Sequence, residues 1–219
     1  MVASIKQIWI IGLFVLFTIS VSLGQSNTQE KVFDYGWIEN NVYKNKYFGL
    51  EIAFDTAWFV KNKKQMLQIQ KAGREFTAQN DKRLKAIIKA SEVNTANLFM
   101  MFKYGEEYAA DFNPSFAVVA ENIKHLPQIK TGKTYLFHLK NLLKLGKLTY
   151  IFDKELYQRK VGSKKFWVLD AEARHLGLKI RQEYLSAVFK GFTLSFIISY
   201  IDDVQKKELH NLLDNIKLD

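Results

Sequence analysis

Leu50, Ile52 and Phe54 alternate with Gly49, Glu51 and Ala53 in the stretch YFGLEIAF. A period of two sends successive side chains to opposite faces and predicts a strand over 47–54. From 61 to 92 the period changes. Met66, Ile69 and Phe76, then Leu84, Ile87 and Ile88, fall at helical spacing, with breaks expected at Gly73 and at 79–81. NLFMMFKY (97–104) and SFAVVAENI (115–123) are apolar on both faces and predict buried strands. The second is entered through a turn at Asn113–Pro114. A helix is predicted over 131–146, with Thr131 as N-cap and Gly146 as a left-handed C-terminal residue. It carries Leu136, Leu139, Leu142 and Leu143 toward a sheet.

The last third is mostly extended. TYIFDKELYQ (149–158) reads as one strand. KKFWVLDAEAR (164–174) sets Trp167, Leu169, Ala171 and Ala173 on one side. LKIRQEYLSAVF (178–189) sets Leu178, Ile180 and Tyr184 opposite Lys179, Arg181 and Glu183. GFTLSFIISYI (191–201) is apolar enough to be central, and His175–Gly177 and Lys190–Gly191 are the tight connections. A closing helix starts at Asp202 or Asp203 and turns Leu209, Leu212, Leu213 and Ile216 inward. Strands on short turns, with helices gathered between groups, define an α+β fold: an antiparallel sheet flanked by helices, an αβα sandwich.

Composition adds a core and a leader. Of 219 residues, 48% are hydrophobic and 14% aromatic, enough for a packed domain. Residues 1–24 hold one charge, Lys6, and a mostly apolar run from Ile8 to Leu23, shorter than the roughly 20 residues of a membrane span. Ser22 and Gly24 stand where a signal peptidase reads. The expectation is a cleaved secretory signal at 1–24, a polar lead-in at 25–41 and one domain at 42–219; the alternative is an anchor that stays attached. The chain would then be exported, periplasmic or secreted. It contains no Cys, which excludes a lipid-anchored amino terminus, disulfides, thiol catalysis and thiolate metal sites.

The formal charge is +10, or +9 once Lys6 leaves with the leader. Export argues against nucleic acid and for an envelope protein or an anionic membrane surface, although basic charge also serves plain solubility. Lys61, Lys63 and Lys64, then Lys82, Arg83 and Lys85, are the candidate contact residues, and form one patch if their elements are adjacent.

Chemistry is sparse. TGKT (131–134) looks like the end of a phosphate-binding loop, but the glycine needed six residues before the lysine is Pro127. Neither G-x-S-x-G nor H-E-x-x-H occurs. Of His125, His138, His175 and His210, His210 has a carboxylate at helical spacing on a predicted helix, Asp214, expected on the exposed side of the last helix. DAEAR places Asp170, Glu172 and Arg174 on one strand face, with Arg181 and Glu183 across from them. That is either a polar site or the ordinary ion-paired solvent face of a sheet.

YFGLEIAF, the DTAW corner after it and KGFTLSFIISYIDDVQKKELHNLL at the end together resemble the PsbP/DcrB-like superfamily of small exported αβα domains, over residues 42–218. Asp55 stands where the corner commonly has proline. The resemblance implies a binding or accessory module and brings no shared catalytic residues. The expected function is a non-catalytic envelope module without cofactor or metal. The alternative is an exported hydrolase or small-ligand protein with a site near Asp170, Glu172 and Arg174.

Overall fold

The computed structural model describes residues 33–107, 112–175 and 177–219. The expected leader and the lead-in as far as residue 32 lie outside the described residues. In chain order the elements are β1 (Trp37–Glu39), β2 (Val42–Asn45), β3 (Leu50–Ala53), β4 (Phe59–Val60), α1 (Lys63–Ala78), α2 (Lys82–Glu92), β5 (Thr95–Phe102), β6 (Ser115–Asn122), α3 (Gly132–Leu143), β7 (Thr149–Ile151), β8 (Tyr157–Val161), β9 (Lys164–His175), β10 (Leu178–Phe189), β11 (Phe192–Tyr200), α4 (Asp203–Asp214) and β12 (Lys217–Leu218).

Eight strands make one antiparallel sheet in the order β4-β5-β6-β11-β10-β9-β7, with β8 on the same edge of β9 as β7. Four more make a small antiparallel sheet, β1-β2-β3-β12. One face of the large sheet packs Met100, Ala117, Leu169, Tyr184 and Ile197 against Met66 of α1 and Leu136, Leu139 and Leu143 of α3. The other packs Phe116, Phe166, Phe196 and Ile198 against Leu209 and Leu213 of α4 and Tyr43, Leu50, Ile52 and Leu218 of the small sheet. Each such large apolar side chain contributes about 1.5–3 kcal/mol by leaving water. The α+β sandwich expected from the periodicity is therefore the fold. On its second face the small sheet shares with α4 the covering that helices alone were expected to supply.

Two tight hairpins follow from turn chemistry. Phe189 and Phe192 are register partners, so Lys190 and Gly191 alone close β10–β11, at φ +48° and +83°. Asn40 and Asn41 close β1–β2 with φ +49° and +57°. Two successive positive φ angles match the right-handed twist of the strands, and Asn and Gly reach them cheaply.

Several boundaries differ from the sequence reading. The strand expected at 47–54 is only Leu50–Ala53, and Tyr47–Gly49 belong to the turn before it. There Asn45 Oδ1 accepts the Phe48 N–H at 3.0 Å, and Tyr47 and Phe48 pack on Phe192. Gly73 does not interrupt α1; the break comes at Gln79 (φ +47°), and the Asp81 carboxylate caps α2. Gly146 has no left-handed role. α3 ends at Leu143, and a Cβ on Gly146 would stand 2.7 Å from Thr77 Cγ2, so its small size serves packing. The single strand expected at 149–158 is two, β7 and β8, separated by residues 152–156. β1 lies within the stretch expected as an irregular lead-in, and β12 extends the small sheet beyond α4.

Candidate functional site

The DAEAR strand face does meet other elements. In β9 and β10, Asp170 is the register partner of Glu183 and Glu172 of Arg181, while Arg181 faces Tyr200 of β11. These side chains share the sheet face on which α4 lies, so Lys206 and His210 of α4 approach from above. Lys154 and Tyr157 approach from the β7–β8 connection and β8. A cavity of about 230 Å³ opens there, lined by Lys154, Asp170, Glu172, Arg181, Tyr200 and Lys206 among others.

The charges in it are paired. Asp170 accepts from Lys154 Nζ at 2.7 Å and from the Tyr157 hydroxyl at 3.1 Å. Glu172 accepts from Arg174 Nε at 2.8 Å, and Arg181 reaches Asp203 at 3.3 Å. Arg174 is outside the cavity lining, with its side chain about half exposed. Of the three residues singled out on this strand, Asp170 and Glu172 thus converge on one cavity and Arg174 stays at its margin.

Glu183 corrects the reading of β10. It alternates with Lys179 and Arg181, yet it is buried at 2% exposure because α4 covers it. The Tyr200 hydroxyl donates to its Oε1 at 2.7 Å, and His210 Nε2 sits 2.9 and 3.0 Å from its two oxygens. Burial alone would raise this carboxyl. The His210 and Tyr200 hydrogen bonds, with the nearby Lys206 charge, outweigh it and hold Glu183 below the usual range. Burial beside Asp170 and Glu183 pushes the Tyr157 and Tyr200 hydroxyls well above theirs.

His210 is likewise not half of an exposed pair with Asp214. Arg159 of β8 inserts between them, donating Nη2–H to Asp214 at 2.6 Å and standing 3.1 Å from His210 Nδ1. A guanidinium only donates, so Nδ1 accepts and Nε2–H donates to Glu183. Both ring nitrogens are committed. The arrangement fastens α4 and the β7–β8 region to the sheet.

A second buried acid lies on the opposite face. Glu121 of β6 is 1% exposed. It accepts from the Tyr135 hydroxyl of α3 at 2.7 Å and from Ser91 Oγ of α2 at 3.3 Å. Burial pushes its carboxyl up to about 7. Glu121 did not stand out in the sequence, and Glu183 was expected on the polar strand face rather than as a buried acid. The available signal was a lone acid in an apolar run for Glu121, and for Glu183 a terminal helix able to lie over its strand.

The other motifs resolve structurally. In TGKT, Thr131 Oγ1 accepts the Thr134 N–H at 3.2 Å as the α3 cap. Gly132 lies so close to β10 that a Cβ would stand 1.9 Å from the Ser186 carbonyl oxygen. The start of α3 is thus pressed on the sheet, where a phosphate-binding loop would need room. His175 packs edge-on to Phe76 at 5.3 Å, and burial together with nearby Lys147 lowers its pKa.

The six basic candidates do not form one patch. Lys61 is buried, pairs with Glu106 at 3.0 Å and lies 5.8 Å from the Phe102 ring centre. Lys63 and Lys64 are exposed at the start of α1, and Lys82 and Arg83 are exposed past its end. Sixteen helical residues hold the two groups about 24 Å apart. Lys85 pairs with Glu75 across the α1–α2 contact.

A larger groove lies elsewhere. It encloses about 660 Å³ beside the small sheet and is lined by Trp37, Lys44, Lys46, Glu51, Lys217 and Asp219 among others. Among the described residues no helix is long and apolar enough to cross a membrane.

The chain matches no protein-family model and no curated protein. Among solved structures it is similar to cyanobacterial PsbP (CyanoP) from Synechocystis sp. PCC 6803, at 10% identity and a TM-score of 0.49 over 88% of this chain and 98% of that one. It is also similar to LpqN of Mycobacterium tuberculosis, described as involved in cell envelope biogenesis, at 11% identity and a TM-score of 0.44 over 77% and 82%. A third is PA94 of Pseudomonas aeruginosa, a protein of unknown function, at 10% identity and a TM-score of 0.37 over 48% and 72%. At these identities and TM-scores no family and no activity is transferred.

Proposed function

We propose that this chain is an exported accessory module of the cell envelope, which acts by docking on a protein partner or an anionic surface without catalysing a reaction. One observation carries the reading. The ionisable side chains gathered between β8, β9, β10 and α4 are spent on internal joints: Asp170 on Lys154 and Tyr157, Glu183 on Tyr200 and His210, and both nitrogens of His210 on Glu183 and Arg159. A general base or nucleophile needs an open valence toward its substrate. The basic net charge and the leader-like run at 8–23 accord with export and an anionic setting.

The second reading, an exported hydrolase or small-ligand protein, is favoured by the cavity at Asp170 and Glu172. At about 230 Å³ it lies below the usual ligand-pocket range of about 300–1,000 Å³.

The test is a pull-down with the tagged protein from solubilised envelope at low and at high salt. A discrete partner retained at high salt supports the docking module. Recovery of salt-labile anionic material points to a surface role. Recovery of neither counts against docking and returns weight to the cavity.

A further inference from the structure

We infer that the β1 edge, built from Tyr35, Trp37 and Ile38 with Lys46, Lys63 and Lys64, docks on an anionic phospholipid surface. The inference rests on the docking reading above and gives it a place and a partner.

β1 is an edge strand, and all three of its residues are exposed. Tyr35 is 41% exposed, Trp37 40% and Ile38 48%. Three large apolar side chains within four positions on a sheet edge are what soluble proteins normally avoid or cover. The strand is only three residues long, too short a ladder to hold an added strand firmly. An occupant that uses side chains therefore fits better than one that uses backbone hydrogen bonds.

The charges around it favour lipid. Lys46 Nζ stands 5.4 Å from the Trp37 ring centre, and Lys63 Nζ 4.4 Å from that of Tyr35. Among the described residues, neither lysine nor Lys64 is in a salt bridge, whereas Glu39, Glu51 and Asp34 nearby are occupied. Glu39 holds Lys44 at 2.8 Å, Glu51 lies 3.6 Å from Lys217, and Asp34 accepts backbone N–H groups from Gly36 and Tyr47. Tyr and Trp with one wet and one apolar end, ringed by unpaired lysines, suit the headgroup layer of an anionic bilayer.

The experiment uses the protein as its own cell exports it, sedimented with phosphatidylcholine vesicles that contain or lack phosphatidylglycerol. The readout is the ratio of binding to anionic over neutral vesicles, because apolar insertion elsewhere in the chain raises both terms. Lys46→Ala and Lys63→Ala are each expected to lower this ratio about five-fold, the equivalent of about 1 kcal/mol per lysine near such a surface. High salt abolishes the preference. Trp37→Phe is expected to remove the tryptophan fluorescence that brominated lipid quenches. These side chains are exposed, so the urea midpoint should stay at the wild-type value.

Lys82→Ala with Arg83→Ala, at the far end of α1, is the control. An equal loss there would show that net charge alone is at work and overturn the proposal. Absence of any preference in the wild type would overturn it too, and leave the envelope pull-down to judge the docking reading by itself. A purified protein partner whose binding is lost in Trp37→Ala, with vesicle binding unchanged, would refute lipid as the occupant and keep the docking module.

Discussion

Glu121 gives the sharpest prediction. Its carboxyl is buried between β6, α2 and α3, and burial pushes it up to about 7 from an ordinary 4.5. The folded protein thus holds the Glu121 proton more tightly than the unfolded chain does. A group raised in this way stabilises fully below its unfolded value, and that contribution is lost as pH rises through the folded one. At 1.36 kcal/mol per pH unit, the span amounts to about 3 kcal/mol between pH 4.5 and pH 7. Glu121→Gln keeps the shape and cannot ionise. Its amide oxygen can still accept from Tyr135, and its amide N–H can meet the Ser91 oxygen. Urea unfolding of both proteins across this pH range, followed by the fluorescence of buried Trp58, isolates the term as a difference. The two curves should be close below pH 4.5, with the variant ahead by about 3 kcal/mol above pH 7. Curves that stay parallel across the range would refute the reasoning, because Glu121 would then titrate alike in both states.

Glu183 carries the opposite sign. Its carboxyl is held below the usual range, so its contribution is present near neutrality and lost as pH falls through the folded value. Glu183→Gln should cost about 2 kcal/mol at pH 7, the worth of a hydrogen bond to a charged group, with the deficit closing on acidification in the same urea assay. Gly132→Ala should cost about 3 kcal/mol, because its methyl would meet the Ser186 carbonyl oxygen at 1.9 Å and α3 would have to lift. Gly73→Ala should gain up to about 1 kcal/mol, since nothing lies within 4 Å of the new methyl inside α1. A thermal melt of each variant reads the direction.

Much of the fold was legible because burial is periodic. The apolar runs at 97–104 and 115–123 read as strands covered on both faces, and they are β5 and β6 of the large sheet. Thr131 and Lys190–Gly191 were readable because caps and tight turns depend on one or two residues. The rest depended on distant partners. Tyr47 and Phe48 continue an alternating pattern, but Phe192 draws both into a turn, 144 positions away in the chain for the nearer one. Residues 149–158 carry strand character throughout, and pairing to β9 at two separate places divides them.

The site was harder to read for a related reason. Period two tells which side chains share a face, and not what lies over that face. Asp170, Glu172, Arg181 and Glu183 share one as expected, but α4 crosses it and turns Glu183 from a solvent residue into a buried joint. The lysines make the same point. Lys61 and Lys63 are two positions apart and equivalent in any charge count. The first leaves β4 under the Phe102 ring and is buried against Glu106; the second opens α1 and stands over Tyr35 in water. A net charge of +10 therefore does not say which lysines the fold leaves without an acid. Near the exposed aromatics of β1, those are Lys46, Lys63 and Lys64.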